Sequence, residues 1–216
     1  MKAKIYRFLL RILPLFNRFP FWNTIRLGGA KFHCKGAALA RCKVDCKGKN
    51  NVIRLGKDTR ITGCHIYIRG DNNVIELGQQ AHAKDAEFYI EDNGNRITIG
   101  DRTNLCGQIH LACTEGKAIT IGEDCLFSSQ IVFRTGDSHS ILDADGNRIN
   151  PARDITVADR VWLGHRVLLN KGVHIPADSV VGTGAVVTKA FHDPHVILAG
   201  VPAKVVKENI SWSGHR

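Results

Sequence analysis

Aromatic residues are scarce in this chain of 216 residues, at 7%, and no apolar stretch reaches the roughly 18 residues that a membrane-spanning helix needs. The nearest candidate, FLLRILPLF at 8–16, is split by Arg11 and Pro14. No small-residue cleavage site follows it, so the start is read as part of the working chain rather than as a secretion signal. Val, Ile and Leu carry the apolar content beside 21 glycines, which suits many short strands better than a helical bundle. Paired CxxC spacings are also missing. The seven cysteines, Cys34, Cys42, Cys46, Cys64, Cys106, Cys113 and Cys125, are odd in number and several stand at apolar positions, so they are expected to be reduced thiols of a cytoplasmic protein. Cys34, Cys42 and Cys46, with His33 beside them, have seven and three residues between them and do not match a zinc module, so no metal is expected. The fragment GTGAVV at 182–187 lacks the third glycine and the strand-to-helix setting of a dinucleotide fingerprint.

Charge is plentiful but uneven. The net charge is +10, yet residues 1–60 alone carry +13, with Asp45 and Asp58 their only acidic residues, and the remainder sums to −3. Within that basic region, Ile5, Phe8, Leu9, Ile12, Phe16 and Phe19 recur at helical spacing opposite Lys4, Arg7, Arg11 and Arg18, with Pro14 as a break. The segment 1–35 is read as a basic amphipathic arm with a short helical stretch. Two uses stay open: peripheral contact with an anionic membrane surface through residues 2–22, or a cap on the end of the main domain. Nucleic acid is not expected as a partner, because no recognition fold accompanies the charge.

What dominates the rest is repetition. Leu-Gly or Ile-Gly recurs with Gly56, Gly78, Gly100 and Gly122, each 22 residues after the last, preceded by NNVIRLG, NNVIELG and NRITIG. From Val157 the period shortens to six, with Leu163, Leu169, Ile175, Val181 and Val187 following, and Val161, Val167, Val173, Ser179 and Ala185 form a small or aliphatic companion series. The same step of six links Ile99, Leu105 and Leu111, and again Ile121, Phe127 and Phe133. One inward aliphatic side chain every six residues describes a triangular coil of three short strands per turn, and 22 residues make one 18-residue turn plus about four at a corner. The repeated glycines are read as corner residues, tolerant of tight backbone geometry.

The hexads VADRVW, LGHRVL and VGTGAV, followed by AVVTKAFHDPHVILAGVPAKVVK, resemble the left-handed β-helix acyltransferases of the hexapeptide-repeat superfamily, and the likeness runs from about residue 50 to residue 207. The expected fold is therefore all-β: a left-handed parallel β-helix over 36–207, with an excursion loop, after the N-terminal segment 1–35 and before a C-terminal tail at 208–216.

The stretch RTGDSHSILDADGNRINPARD at 134–154 breaks the rhythm. Continuing the step of six past Phe133 would bring His139, Asp145 and Pro151 inward, and none of these is aliphatic. The chain must leave the coil after about residue 138 and rejoin near Ile155; loops of this length without structure of their own are usually functional or disordered. In the family that DSHSI resembles, the histidine at the base of this loop is the catalytic base, which implies that role for His139. Asp137, two residues away and on the same side if the segment is extended, is one candidate to orient the imidazole, and a backbone carbonyl is the other. Trp162 resembles a tryptophan that polysaccharide O-acetyltransferases of this superfamily place beside that histidine, although packing at a subunit contact is an alternative.

The resemblance also implies a coenzyme A platform. The backbone at Gly182, Thr183 and Ala185 would line the pantetheine arm, Lys189 and Lys204 would meet the phosphates, Val201 and Pro202 would flank the adenine, and Gly164 and Thr188 would belong to the same cofactor-binding surface. AFHDPHV at 190–196 departs from relatives and leaves His192 and His195 without an inherited role. The implied activity is O-acetyl transfer from acetyl-coenzyme A to a sugar hydroxyl of a bacterial capsule or lipopolysaccharide O-antigen. The implied assembly is a homotrimer with its active sites between subunits, in the cytoplasm or at the inner face of the membrane. An N-acetyltransferase of an amino sugar or antibiotic, and a non-enzymatic β-solenoid, remain the alternatives. A carbonic anhydrase on this coil would need clustered histidines that the chain lacks.

Overall fold

The computed structural model describes residues 22–214, and within them the chain makes 24 strands, from β1 (Thr24–Arg26) to β24 (Ala203–Lys207), and no helix. Up to β22 successive strands fall in rotation into three sheets, one strand per sheet in each turn of the coil, and β23 and β24 both join the third, giving eight, seven and nine strands. All pairings are parallel except the final hairpin, in which β23 (Ile197–Gly200) meets β24 antiparallel. Of the segment 1–35 read as the amphipathic arm, residues 1–21 lie outside the described residues.

The step of six proves to be the inward register. Val157, Leu163, Leu169, Ile175, Val181 and Val187 are all buried, as is the companion series Val161, Val167, Val173, Ser179 and Ala185. Phe127 and Phe133 stack within the core at 5.8 Å, and with Phe88 they are the largest of its fully buried side chains. A fully buried aliphatic or aromatic side chain contributes ~1.5–3 kcal/mol, so the inward columns are the main source of stability.

The longer turns owe their extra residues to one corner. Where the eight-stranded sheet hands over to the seven-stranded one, Asn51, Asn73 and Asn95 form a buried ladder at the 22-residue repeat. The Asn73 amide N–H donates to the Asn51 side chain at 2.9 Å, the Asn95 N–H donates to the Asn73 side chain at 2.8 Å, and the Asn73 side chain donates to the Asp92 carbonyl at 2.9 Å. A corner that turns over extra backbone must satisfy the polar groups it buries, and the asparagines do so.

The glycine column has a different cause from the one expected. Gly56, Gly78, Gly100 and Gly122 do not occupy the left-handed region; that conformation falls two residues on, at Asp58, Gln80, Arg102 and Asp124, with φ of 60°, 55°, 59° and 54°. What demands glycine is the next turn: a Cβ on Gly100 would lie 2.4 Å from the carbonyl carbon of Gly122. The coil also begins earlier than the boundary at residue 36. β1 and β2 (Lys31–His33) already pair with β4 (Lys43–Lys47) and β5 (Val52–Leu55), in a turn whose repeat signal is hidden because Cys34 stands where the later turns have glycine.

Candidate active site

The excursion occupies the corner between β16 (Val132–Arg134) and β17 (Ile155–Val157), the same corner that carries the asparagine ladder. It closes into a small hairpin through a Leu142–Arg148 bridge, and Asp143 caps the tip by accepting the amides of Asp145 and Asn147. One buried side chain holds its base together. Asn150 donates to Asp137 Oδ2 and to the His139 carbonyl, both at 2.8 Å, and accepts the Ile141 amide at 2.7 Å. Arg148 reaches back to the coil with a bidentate grip on Glu115, at 2.9 and 2.6 Å, which holds the Glu115 carboxyl below its ordinary range.

His139 is exposed at the foot of this loop. The expectation that Asp137 faces it across an extended segment is not met. Ser138 between them has φ of 64°, so the chain turns, and the Asp137 carboxylate pairs with Lys171 and Asn150 instead. The Lys171 ammonium also donates to the Asn150 carbonyl at 3.0 Å, and its contact with Asp137 is the main reason that carboxyl lies below its ordinary range. Asp137 thus anchors the loop. Lys171, Asn150, Arg148 and Glu115 were not singled out from the sequence, because the partners that latch the loop lie 9 to 37 residues away along the chain.

Trp162 lies on the opposite side of the prism. It opens β18 (Trp162–Leu163) in the nine-stranded sheet, faces outward and is 41% exposed, whereas the loop leaves from the edge between the other two sheets. The C-terminal tail comes back to it: Trp212 Nε1 donates to the Arg160 carbonyl at 2.8 Å, and its ring sits 6.2 Å from that of Trp162.

The residues ascribed to a coenzyme A platform divide into two groups. Gly164 and Gly182 stack at the corner that follows the nine-stranded sheet, where a Cβ on Gly164 would lie 2.7 Å from the Thr183 nitrogen. Thr183 is exposed beside them, and the β23–β24 hairpin brings Val201, Pro202 and Lys204 to the same sheet's rim, all exposed. This edge offers close backbone approach and a cation, which suits a slender arm ending in phosphates. Ala185 does not join it. Its side chain is in the core, its amide donates to Gly182 and its carbonyl accepts from Leu168. Thr188 and Lys189 sit one corner further on, and the Lys189 ammonium lies 5.3 Å over the Phe191 ring.

A groove of about 280 Å³ opens on the outer face of the eight-stranded sheet and ends at Gly136 and Ser138, one residue short of His139. Its walls include Tyr89, His110 and Arg134. No group of histidine, cysteine and acidic side chains among the described residues is arranged to hold a metal ion.

No protein-family model matches the chain. Part of it is similar to a polysialic acid O-acetyltransferase of Escherichia coli O1:K1 / APEC, 34% identical over 91 residues that make up 42% of this chain and 29% of that protein. A polysialic acid O-acetyltransferase of Neisseria meningitidis is 32% identical over 91 residues, 42% of each chain, and the galactoside O-acetyltransferase of Escherichia coli K12 is 46% identical over 54 residues, 25% of this chain and 26% of its own. The matches span less than half the length of these curated relatives. In three dimensions the likeness is longer. The crystal structure of the polySia specific acetyltransferase NeuO superposes with a TM-score of 0.78 at 31% identity, covering 88% of both chains. The polysialic acid O-acetyltransferase OatWY, at 24% identity and a TM-score of 0.50 over 90% of this chain and 92% of its own, shares the fold.

Proposed function

Because this chain belongs to the left-handed β-helix acyltransferases of the hexapeptide-repeat superfamily, we propose that it moves an acetyl group from acetyl-coenzyme A to a hydroxyl of a bacterial surface polysaccharide. The observation that carries this reading is the loop itself: an exposed histidine held at the base of a latched excursion, on an otherwise closed coil.

In the proposed reaction the neutral His139 imidazole takes the proton of the sugar hydroxyl as its oxygen attacks the thioester carbonyl. The new C–O bond forms, the C–S bond breaks, and the proton passes from the imidazolium to the departing thiolate. The loop latch fixes where the imidazole stands, since the His139 carbonyl is held by Asn150 and Asn150 by Asp137. Thr183, Val201, Pro202 and Lys204 would hold the donor by its arm, adenine and phosphates, with Gly164 and Gly182 giving it room.

The positions of His139 and Trp162 support a site shared between subunits. They occupy an edge and the sheet opposite it, so within one prism they serve separate surfaces, whereas a neighbouring prism in a homotrimer can bring the edge of one subunit to the donor surface of the next. The proposed setting is the cytoplasmic side of a membrane, reached through the basic arm. Co-sedimentation with anionic liposomes that is lost on deleting residues 2–21 supports that placement, and unchanged soluble partitioning rejects it.

The decisive experiment follows free thiol release from acetyl-coenzyme A with a panel of deacetylated bacterial glycans, for wild type and His139→Ala. The expected result is acceptor-dependent release that falls by ~10² to 10⁴ in the variant. Release undiminished in the variant rejects His139 as the base.

A further inference from the structure

Resting on the acyltransferase reading above, we propose that the groove beside the loop is the acceptor subsite, and that the sugar unit it takes is an uncharged, hydroxyl-rich one rather than a sialic acid. The groove exists because of one small residue. On the outer face of the eight-stranded sheet, the strand register lines up Tyr67, Tyr89, Ala112 and Arg134 in a row across β7 (His65–Arg69), β10 (Glu87–Glu91), β13 (His110–Cys113) and β16. Ala112 leaves a gap between two long side chains and becomes the floor. The volume of about 280 Å³ lies at the lower edge of the ~300–1,000 Å³ typical of small-molecule sites, which suits one sugar ring.

The wall is aromatic and rigid. Tyr89 stacks on Tyr67 with centroids 4.9 Å apart and planes 7° from parallel, and the Arg69 guanidinium covers Tyr67 from 4.0 Å. Such a face suits the C–H surface of a pyranose, with the phenol as its polar end.

The polar groups decide the class of ligand, because beside the hydroxyls of Thr114 and Ser138, which can donate or accept, the groove carries two carboxylates and one imidazole that can accept. Glu87 takes the Nδ1 of His65 at 3.1 Å and of His110 at 2.9 Å on its two oxygens, so both imidazoles donate from Nδ1; His110, which lines the groove, then offers Nε2 as an acceptor when neutral, whereas His65 Nε2 is buried away from it. Glu91 accepts from the Tyr89 phenol, and this contact, with burial second, pushes the Tyr89 hydroxyl up to about 12. Two carboxylates face the groove against one cation, Arg134. Sugar hydroxyls supply the hydrogens these acceptors need, while a ligand carboxylate brings a like charge into the same small volume. Gly136 and Ser138 close the end of the groove next to His139, so a sugar seated here presents a hydroxyl at the foot of the loop.

Binding is measured in the His139→Ala background, so that it is read without turnover. The probes are neutral oligosaccharides built of galactose, glucose and N-acetylhexosamine, and a sialic acid oligomer of matched length, followed by saturation-transfer NMR and calorimetry. A neutral probe should bind at least tenfold more tightly than the sialic acid oligomer. Ala112→Phe, which fills the floor, and Tyr89→Ala, which removes the wall, should each weaken it at least tenfold with an unchanged melting profile. Glu87→Gln with Glu91→Gln should narrow the preference. Tighter binding of the sialic acid oligomer, binding of neither probe, or neutral binding indifferent to both groove variants overturns the proposal. Specific glycan binding without any thiol release in the wild type would instead count against the acyltransferase reading and leave the groove assignment standing.

Discussion

The indole rings of Trp162 and Trp212 stand 6.2 Å apart with their planes tilted by 44°, and a hydrogen bond from Trp212 to the Arg160 carbonyl pins the tail that brings them together. An aromatic pair of this kind contributes ~0.5–1.5 kcal/mol, and each 1.4 kcal/mol is tenfold in an equilibrium. If Trp162 meets substrate, Trp212→Ala should lower kcat/KM by up to about tenfold while leaving the melting temperature nearly unchanged. Steady-state kinetics on the variant check this, and kinetics identical to wild type would detach the tail from the site.

Asp137 and His139 should separate cleanly in mutagenesis. Asp137→Asn removes the charge that Lys171 holds and keeps the side-chain shape, so its effect belongs to loop order. The expected pattern is a kcat loss well below that of His139→Ala, with Lys171→Met reproducing it. Equal losses for Asp137→Asn and His139→Ala would restore Asp137 as the direct partner of the imidazole.

The loop should also respond to acid in a defined window. Lys171 first, and Asn150 after burial, hold Asp137 below its ordinary 3.8; Arg148 holds Glu115 below its ordinary 4.5. Groups with depressed folded values stabilise fully above the ordinary values and lose that contribution as pH falls through the lowered ones. Amide exchange of Ile141 and Ile149, corrected for its intrinsic pH dependence, should therefore show constant protection near neutrality and a loss that sets in only below the ordinary carboxylate range. Protection lost already between pH 7 and 5 would contradict this assignment.

Stacking, rather than φ, makes Gly100 irreplaceable. An added Cβ would press on the Gly122 carbonyl carbon at 2.4 Å and the Glu123 nitrogen at 2.6 Å, both backbone atoms that cannot swing aside. Gly100→Ala should cost at least about 1–3 kcal/mol, read as a lowered midpoint in urea. An unaffected midpoint would mean that neighbouring turns can part at no cost.

The asparagine ladder should behave as a chain of obligatory partners. Asn73→Ala leaves the Asn95 amide and the Asp92 carbonyl short of a partner in a corner where Asn73 and Asn95 are fully buried. The expected loss is about 1–3 kcal/mol, with amide exchange at Asn95 accelerated ahead of global unfolding. Asn73→Asp, which sets a carboxylate oxygen against the Asp92 carbonyl and buries a charge, should cost at least as much.

The coil could be read from the chain because its information is local and periodic. A side chain every six residues must be apolar or small if it points inward, and a loop announces itself when that demand lapses, as it does at His139, Asp145 and Pro151. The first turn escaped that reading because Cys34 and the residues before it blur the repeat. The glycine column was visible, but its cause was not, since contact between stacked turns is a relation across 22 residues.

The site divides along the same line. His139 and Trp162 stood out as residues, and the rim residues Val201, Pro202 and Lys204 as a motif. The hexad pattern itself marks the Ala185 side chain as inward, and its backbone amide and carbonyl are taken by Gly182 and Leu168. Only the tertiary structure turned Asp137 from His139 to Lys171, folded Trp212 onto Trp162, and let Ala112 open a groove between Tyr89 and Arg134. Those contacts join residues 22 to 50 positions apart, or depend on a turn at Ser138, and chain distance carries no record of them. Periodicity determines which side chains enter the core; how turns stack and where the loop and tail come to rest decides which of the remaining side chains meet.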